Sequence, residues 1–280
     1  MTLLTLDRAA VVAASRRVAR AYAEAPALWL WRAFECAAYD RLPIEPPTLD
    51  LGCGDGTFFR LAWPDIHDVV GVDADVNAAD AAVRSHVYRA VHVASAARLP
   101  FPPGSFRSAV ANCSLEHMEQ LDEALASLHE CLQPGAVLLA SVITDKWREW
   151  NPLVELIRWV TGPETADELA REYAARQRHL HALTPAEWKE RLGAGGFDVV
   201  EEVPIVPAVT ARVFLLLDHV WHLRRDGLPG EPAVRLESFF HALPAEPDAL
   251  IHVIEGLLAM ERDWTTGAGL VLRATRRWPF

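Results

Sequence analysis

The chain has 280 residues, 27 Lys and Arg against 38 Asp and Glu, and a formal charge of −11. With 51% hydrophobic and 23% charged residues it is composed like a folded globular protein rather than a disordered one. Net acidity without a Lys/Arg block argues against sequence-independent binding of nucleic acid, whose affinity comes from neutralising phosphates, and the most apolar run, Val213 to Leu217, is far shorter than the roughly 20 residues of a membrane span.

Residues 8–40 are rich in Ala, Leu and Arg and are interrupted by Pro26, so they read as two helices, the second carrying Trp29, Phe34 and Tyr39. Asp7, Arg8, Arg16 and Arg17 break up what could have been a signal peptide, which leaves the cytoplasm as the expected location. Residues 1–45 are expected to form an N-terminal helical flap, closed by Pro43, Pro46 and Pro47. From 46 to 280 one core domain is expected. Its apolar runs TLDL, VVGVD, VHVA, SAVAN and AVLLASV alternate with helical stretches, the pattern of a parallel sheet covered on both faces. Leu121, Leu125, Leu128 and Leu132 form one helical stripe before Pro134 and Gly135. Helical caps are expected at 145–182 and 207–266, the second broken by a turn at 226–232. Between them Thr184, Pro185 and Glu187 spell a capped helix start, and DVVEEV a strand. The last strand is expected at Gly269 to Thr275. The fold class is therefore α/β, with a doubly wound, mostly parallel seven-stranded sheet.

Cys36, Cys53, Cys113 and Cys131 form no CxxC pair and the histidines no HExxH, so no metal site is indicated. The informative segment is Leu49-Asp50-Leu51-Gly52-Cys53-Gly54-Asp55-Gly56-Thr57, where a strand passes into a helix. Three glycines there allow a tight turn and close approach to a nucleotide-type ligand. The third glycine follows the second by two positions rather than three, which disfavours an NAD-dependent oxidoreductase.

This segment resembles the glycine-rich motif of class I S-adenosylmethionine-dependent methyltransferases, in which an acidic residue precedes GxGxG. Val69 to Asp73 resembles their second strand, Leu99-Pro100-Phe101 through Gly104-Ser105-Phe106 their LPF…SF segment, and Leu115-Glu116-His117 the end of their fourth strand. Leu132-Gln133-Pro134-Gly135 resembles the turn before their fifth. The resemblance implies a Rossmann-like fold, S-adenosylmethionine as cofactor and S-adenosylhomocysteine as product. It implies that Asp50 meets the cofactor's ammonium, that amides near Gly52 and Gly54 face its carboxylate, and that Cys53 and Gly56 complete the loop. Asp73 then takes the ribose hydroxyls, Ala74, Ser95 and Ala96 border the adenine, and Asn112 ends the strand facing the ligand. Ser95 and Arg107 stand where the family commonly has Asp.

His117 sits where that strand opens toward the transferred methyl group and is the candidate catalytic base; packing on the next helix is the plainer reading. Ten tryptophans in the chain suggest an aromatic-lined acceptor site, and Trp147, Trp150, Phe214 and Trp221 are its candidates, with core or dimer contact as the alternative. Methyl transfer to an O, N or C atom of a small molecule, with secondary metabolism as its setting, is the expected function. A SAM-binding protein without transfer activity is the alternative, and a homodimer the expected partner class beyond the acceptor.

Overall fold

The structure, a computed structural model, describes residues 1–22, 25–221, 224–225, 234–235 and 247–278; the expected turn at 226–232 lies outside them. After a two-residue strand β1 (Thr2–Leu3), Asp7 starts helix α1 (Arg8–Ala19) by accepting the Ala10 amide at 2.8 Å. Helix α2 (Pro26–Tyr39) begins on its proline. Strand and helix then alternate: β2 (Thr48–Leu51), α3 (Thr57–Ala62), β3 (Val69–Asp73), α4 (Val76–Ser85), β4 (Ala90–Val93), β5 (Phe106–Asn112), α5 (Leu121–Cys131) and β6 (Leu132–Ile143). The first cap is α6 (Lys146–Glu149), α7 (Pro152–Thr161) and α8 (Pro163–Gln177), and the chain returns through α9 (Pro185–Ala194) and β7 (Phe197–Ile205). Helix α10 (Ala208–Trp221) follows. The stretch expected to be helical next holds a two-residue antiparallel pair, β8 (Arg224–Arg225) with β9 (Val234–Arg235), before helix α11 (Pro247–Met260) and strand β10 (Gly269–Arg276).

Eight strands make one sheet in the order β1-β7-β10-β6-β5-β2-β3-β4, one more than expected because β1 adds to the edge beside β7. Strands β2 to β6 are mutually parallel where they pair, while β10 runs antiparallel between β6 and β7. The order reverses between β2 and β5, so the carboxyl ends of the parallel strands leave a crevice there. Side chains alternate between two apolar layers with the strand period of two: Val110 and Val271 face one, Ala109, Ala111, Leu270 and Leu272 the other. The first layer also takes Trp29, Phe34 and Tyr39 of α2, so the N-terminal helices share a core with the sheet. In the second, Trp188 of α9 is fully buried and its indole N–H donates to the Ile143 carbonyl at 2.8 Å.

Thr184 caps α9 by accepting the Glu187 amide, and Glu187 accepts the Thr184 amide in return. Arg107 pairs with Glu45 at 2.5 Å on the exposed surface, which gives the residue at the family's usual Asp position a peripheral role. Urea unfolding should therefore show a loss of about 1 kcal/mol for Thr184→Ala and of less than about 0.5 kcal/mol for Arg107→Ala. The reverse ranking would contradict this account.

Candidate active site

The loop after β2 bends through three glycines in the left-handed region, Gly52 (φ +78), Gly54 (φ +55) and Gly56 (φ +81). A Cβ at Gly52 would lie 2.5 Å from that of Ser114, and one at Gly56 would lie 2.8 Å from the Tyr88 ring, so these two are required by neighbouring protein atoms. A Cβ at Gly54 would meet nothing within 4 Å. That side of the loop faces a cavity of about 290 Å³, which also borders Asp50, Cys53, Arg32 and Asn112.

Asp73, at the end of β3, accepts the Gly54 amide at 2.9 Å through one oxygen and the Asp75 amide at 2.9 Å through the other. It thus fixes the loop while lining a larger cavity of about 850 Å³ with Ala74, Ser95 and Ala96. Asp75 caps α4 with its side chain on the Asn77 and Ala78 amides. Ser95 spends its hydroxyl locally, accepting from the Ala97 amide at 3.3 Å. The amides of Gly52 and Cys53 both donate to the Val72 carbonyl, at 2.8 and 3.0 Å, and that of Gly56 to the Cys53 carbonyl. The amides of Gly52, Cys53, Gly54 and Gly56 thus each donate to a protein acceptor.

Asp50 shares the alternation of Val110 and points to the sheet face covered by α2. It is buried, accepts a hydrogen bond from the Tyr88 hydroxyl at 2.6 Å, and has its pKa pushed up to about 7 by burial, with nearby Asp73 adding to the shift against Tyr88. A buried acid held near neutrality and aimed at the glycine loop fits an ammonium, and Asp73 with the small Ala74 and Ala96 fits an adenosine. The residues present therefore suit the cofactor that the sequence implies.

His117 closes the short turn Leu115–His117 and lines the larger cavity. Its Nδ1 lies 3.0 Å from the Arg178 carbonyl, which fixes the tautomer with the proton on Nδ1 and leaves Nε2 as an acceptor. Desolvation lowers its pKa, so the neutral ring predominates at pH 7. The carbonyl of Glu116, whose carboxyl burial raises to about 8, receives the Leu180 and His181 amides at 2.9 and 3.1 Å. This ties the exit of α8 to the end of β5 and places Ala174, Ala175, Arg178 and His179 over the larger cavity. His179, 5.1 Å from the His117 ring, is pushed down to about 3 by burial and by His117.

Of the aromatic candidates, Trp147 and Phe214 are buried behind this cavity, 5.3 Å apart, and each lies 5.3 Å from Trp31. Trp147 meets His179, which lines the cavity, at 4.9 Å between ring centroids. Trp150 packs partly buried against the same cluster, and Trp221 ends α10 with its side chain outside the described part. Asn112 is engaged by α2: its amide stands between Tyr39, Glu35 and Arg32, with the nitrogen 2.9 Å from the Tyr39 hydroxyl and the oxygen facing Arg32. Sequence reasoning missed Tyr88, Ser114, Arg32 and Glu35, and read His179 as a surface residue of the first cap, whereas it lines the larger cavity. All five are brought there by contacts between distant segments, for which local pattern offers no signal.

Two tests follow from this geometry. Gly54→Val should weaken S-adenosylhomocysteine binding far more than it lowers Tm, whereas Gly52→Ala, which collides with Ser114, should lower Tm first; equal profiles would dissolve the distinction. Because an ammonium favours ionised Asp50, binding should release a proton. Affinity measured by calorimetry should then rise about tenfold from pH 6 to pH 8 and level above the Asp50 titration. Asp50→Asn should flatten that dependence.

Comparison with known proteins bears on the same features. The methyltransferase domain family matches residues 17–202. No curated protein sequence matches the chain. Among solved structures, a chain of the complex between the Haloferax volcanii Trm112 methyltransferase activator and its methyltransferase partner aligns with a TM-score of 0.56 and 15% identity, over 95% of this chain and 98% of that one. A SAM-dependent methyltransferase of Thermotoga maritima aligns with a TM-score of 0.54 and 18% identity, over 89% and 90%. The [4+2]-cyclase SpnF aligns with a TM-score of 0.52 and 18% identity, over 88% and 79%. The fold is shared with all three. With the family match spanning most of the chain, the glycine loop and the acid-ended second strand of its sheet are those of a class I SAM-dependent methyltransferase, and it is to this family that the chain belongs.

Proposed function

We propose that this methyltransferase transfers the methyl group to a small-molecule acceptor, with His117 as the base. The observation that carries the reading is the cavity of about 850 Å³ that runs from Asp73 and Ser95 to His117 beneath α8. Its volume lies within the range of small-ligand sites, about 300–1,000 Å³, and its roof and the net charge of −11 suit a compact acceptor better than a polyanion. The Haloferax neighbour's Trm112 complex is the reason to weigh a macromolecular acceptor. The cyclase neighbour is the reason to keep a SAM-binding protein without transfer as the alternative.

When bound, the cofactor supplies an electrophilic methyl group. Asp73 accepts from the ribose hydroxyls without releasing the Gly54 amide, since each carboxylate oxygen has a second lone pair. Asp50 holds the ammonium, and Ala74, Ser95 and Ala96 flank the adenine. His117 accepts at Nε2 the proton that an O or N acceptor loses, while Arg178 keeps its ring oriented. Trp147 and Phe214 act on the acceptor through the wall that His179 presents, and α8 excludes water from the crevice. Location in the cytoplasm belongs to the same proposal.

The test is a panel of small hydroxyl, amine and activated-carbon acceptors scored by S-adenosylhomocysteine release. With a competent acceptor, His117→Ala should lower kcat by roughly 10² to 10⁴ and leave cofactor affinity intact. Wild-type kcat should be flat above pH 7 and fall on acidification below about 6.5, since only the neutral imidazole accepts and burial keeps it neutral to lower pH. Full turnover in the variant would remove His117 from the mechanism; transfer to proteins or RNA but to none of the panel would remove the small-molecule reading.

A further inference from the structure

Helix α8 ends on Arg178 in the left-handed region (φ +54), and the turn there returns the His179 amide to the Ala174 carbonyl at 3.2 Å. This exit places two histidines together. The Arg178 carbonyl lies 3.0 Å from Nδ1 of His117, and the next residue, His179, is turned onto the wall of the larger cavity. The two rings lie 5.1 Å apart, with their planes inclined by 30°. We infer that His117 and His179 form a paired recognition site for an acceptor with oxygens on two neighbouring carbons, one a reacting hydroxyl and the other able to accept a hydrogen bond. The pairing rests on the reading of this cavity as the site of a small-molecule acceptor.

The tautomers make the two rings complementary. With its Nδ1 proton directed at Arg178, His117 presents Nε2 as an acceptor. In His179 it is Nδ1 that is buried without a partner, which leaves Nε2 as the nitrogen able to reach the cavity. An orphaned lone pair is tolerated in a protein interior more readily than an orphaned N–H, so the proton of the neutral ring belongs on Nε2. Burial and His117 push the His179 pKa down to about 3, and the ring stays neutral at pH 7. His179 therefore offers a donor beside the acceptor of His117. Trp147 meets the His179 ring edge-on and is itself parallel to Tyr173, which restrains the imidazole from turning away. This arrangement selects against charged groups: a carboxylate would face the lone pair of His117, and an ammonium the N–H of His179. Both imidazoles belong to one stretch of wall, so the two oxygens must leave the acceptor on the same side. Ala174 and Ala175, which line the same cavity, are small enough to leave room for its carbon skeleton.

Isomeric probes separate the pairing from a general affinity for phenols. In 2-methoxyphenol the hydroxyl stands beside an oxygen that can only accept; in 4-methoxyphenol the same two groups point apart. Calorimetry on the protein loaded with S-adenosylhomocysteine should show the 2-isomer bound about 5- to 10-fold more tightly by wild type, as one additional hydrogen bond provides. His179→Phe keeps a ring against Trp147 but removes the donor. It should bring the 2-isomer to the level of the 4-isomer and leave the 4-isomer within about twofold. His179→Gln, whose amide can donate from the place of Nε2, should restore part of the preference. Equal binding of the isomers by wild type, or a preference that survives in His179→Phe, would overturn the pairing. Binding of neither isomer would overturn the pairing if other small molecules are methylated, and the small-molecule reading itself if only proteins or RNA are. Should His179→Phe fail to fold, His179→Gln decides: a weakening confined to the 2-isomer supports the pairing, and an equal or absent change refutes it.

Discussion

A single buried carboxylate organises the seam between the N-terminal helices and the carboxyl ends of β5 and β6. Glu35 is completely shielded from solvent, and the cost of an unpaired charge there would be several kcal/mol. Five groups answer it: the Trp31 indole N–H at 3.0 Å, Arg32, the Cys113 thiol at 2.9 Å, the Ser141 hydroxyl at 2.6 Å and the Asn112 amide. The first two lie on its own helix and the others at the ends of β5 and β6. Helix α2 can therefore dock on the sheet in one register only, since a slip of one residue would turn the carboxylate into apolar packing. That register sets the wall of the smaller cavity and brings Tyr39 to Asn112 and Trp31 to the Trp147 cluster.

The glycine loop shows the same division between what the protein needs and what the ligand needs. Gly52 and Gly56 are fixed by close approach to Ser114 and Tyr88, so a side chain at either is a packing error. Gly54 has open space on its outer side, so its left-handed backbone (φ +55), and no neighbouring protein atom, is what favours glycine there. Asp73 joins the two requirements, because the carboxylate that lines the larger cavity also holds the Gly54 and Asp75 amides. Loss of Asp73 would thus loosen the loop as well as remove an acceptor.

Low polarity governs the titrating groups around the crevice. Burial raises Asp50 to about 7 and Glu116 to about 8, and it lowers His117 and His179, the latter to about 3. In each case desolvation favours the neutral form. His117 presents Nε2 as an acceptor, and a cation placed beside Asp50 would favour its charged form. The pinning of Leu180 and His181 to the Glu116 carbonyl holds the exit of α8 over the larger cavity, beside His117 and His179.

Much of the fold was legible locally. The alternation of apolar runs gave the strands of the core close to their observed limits, and Thr184 with Glu187 gave the start of α9, because strand period and helix capping depend on residues a few positions apart. The glycine spacing and the acid at the end of β3 likewise marked two segments that the structure joins, Asp73 accepting the Gly54 amide. The sequence by itself determined the sheet, the loop and the class of ligand, since each is written in short-range spacing. Tertiary structure alone decided what completes the site. Tyr88 reaches Asp50 across 38 positions and Glu35 reaches Ser141 across 106, and their partners are selected by which elements pack together. The same holds for Trp147 and Phe214, whose aromatic character suggested cavity walls, while the docking of α2 against α10 placed them in the core behind it. A side chain's chemistry is local, but its burial and its partner are properties of the assembled layers, and those fix whether a residue touches ligand or holds the residue that does.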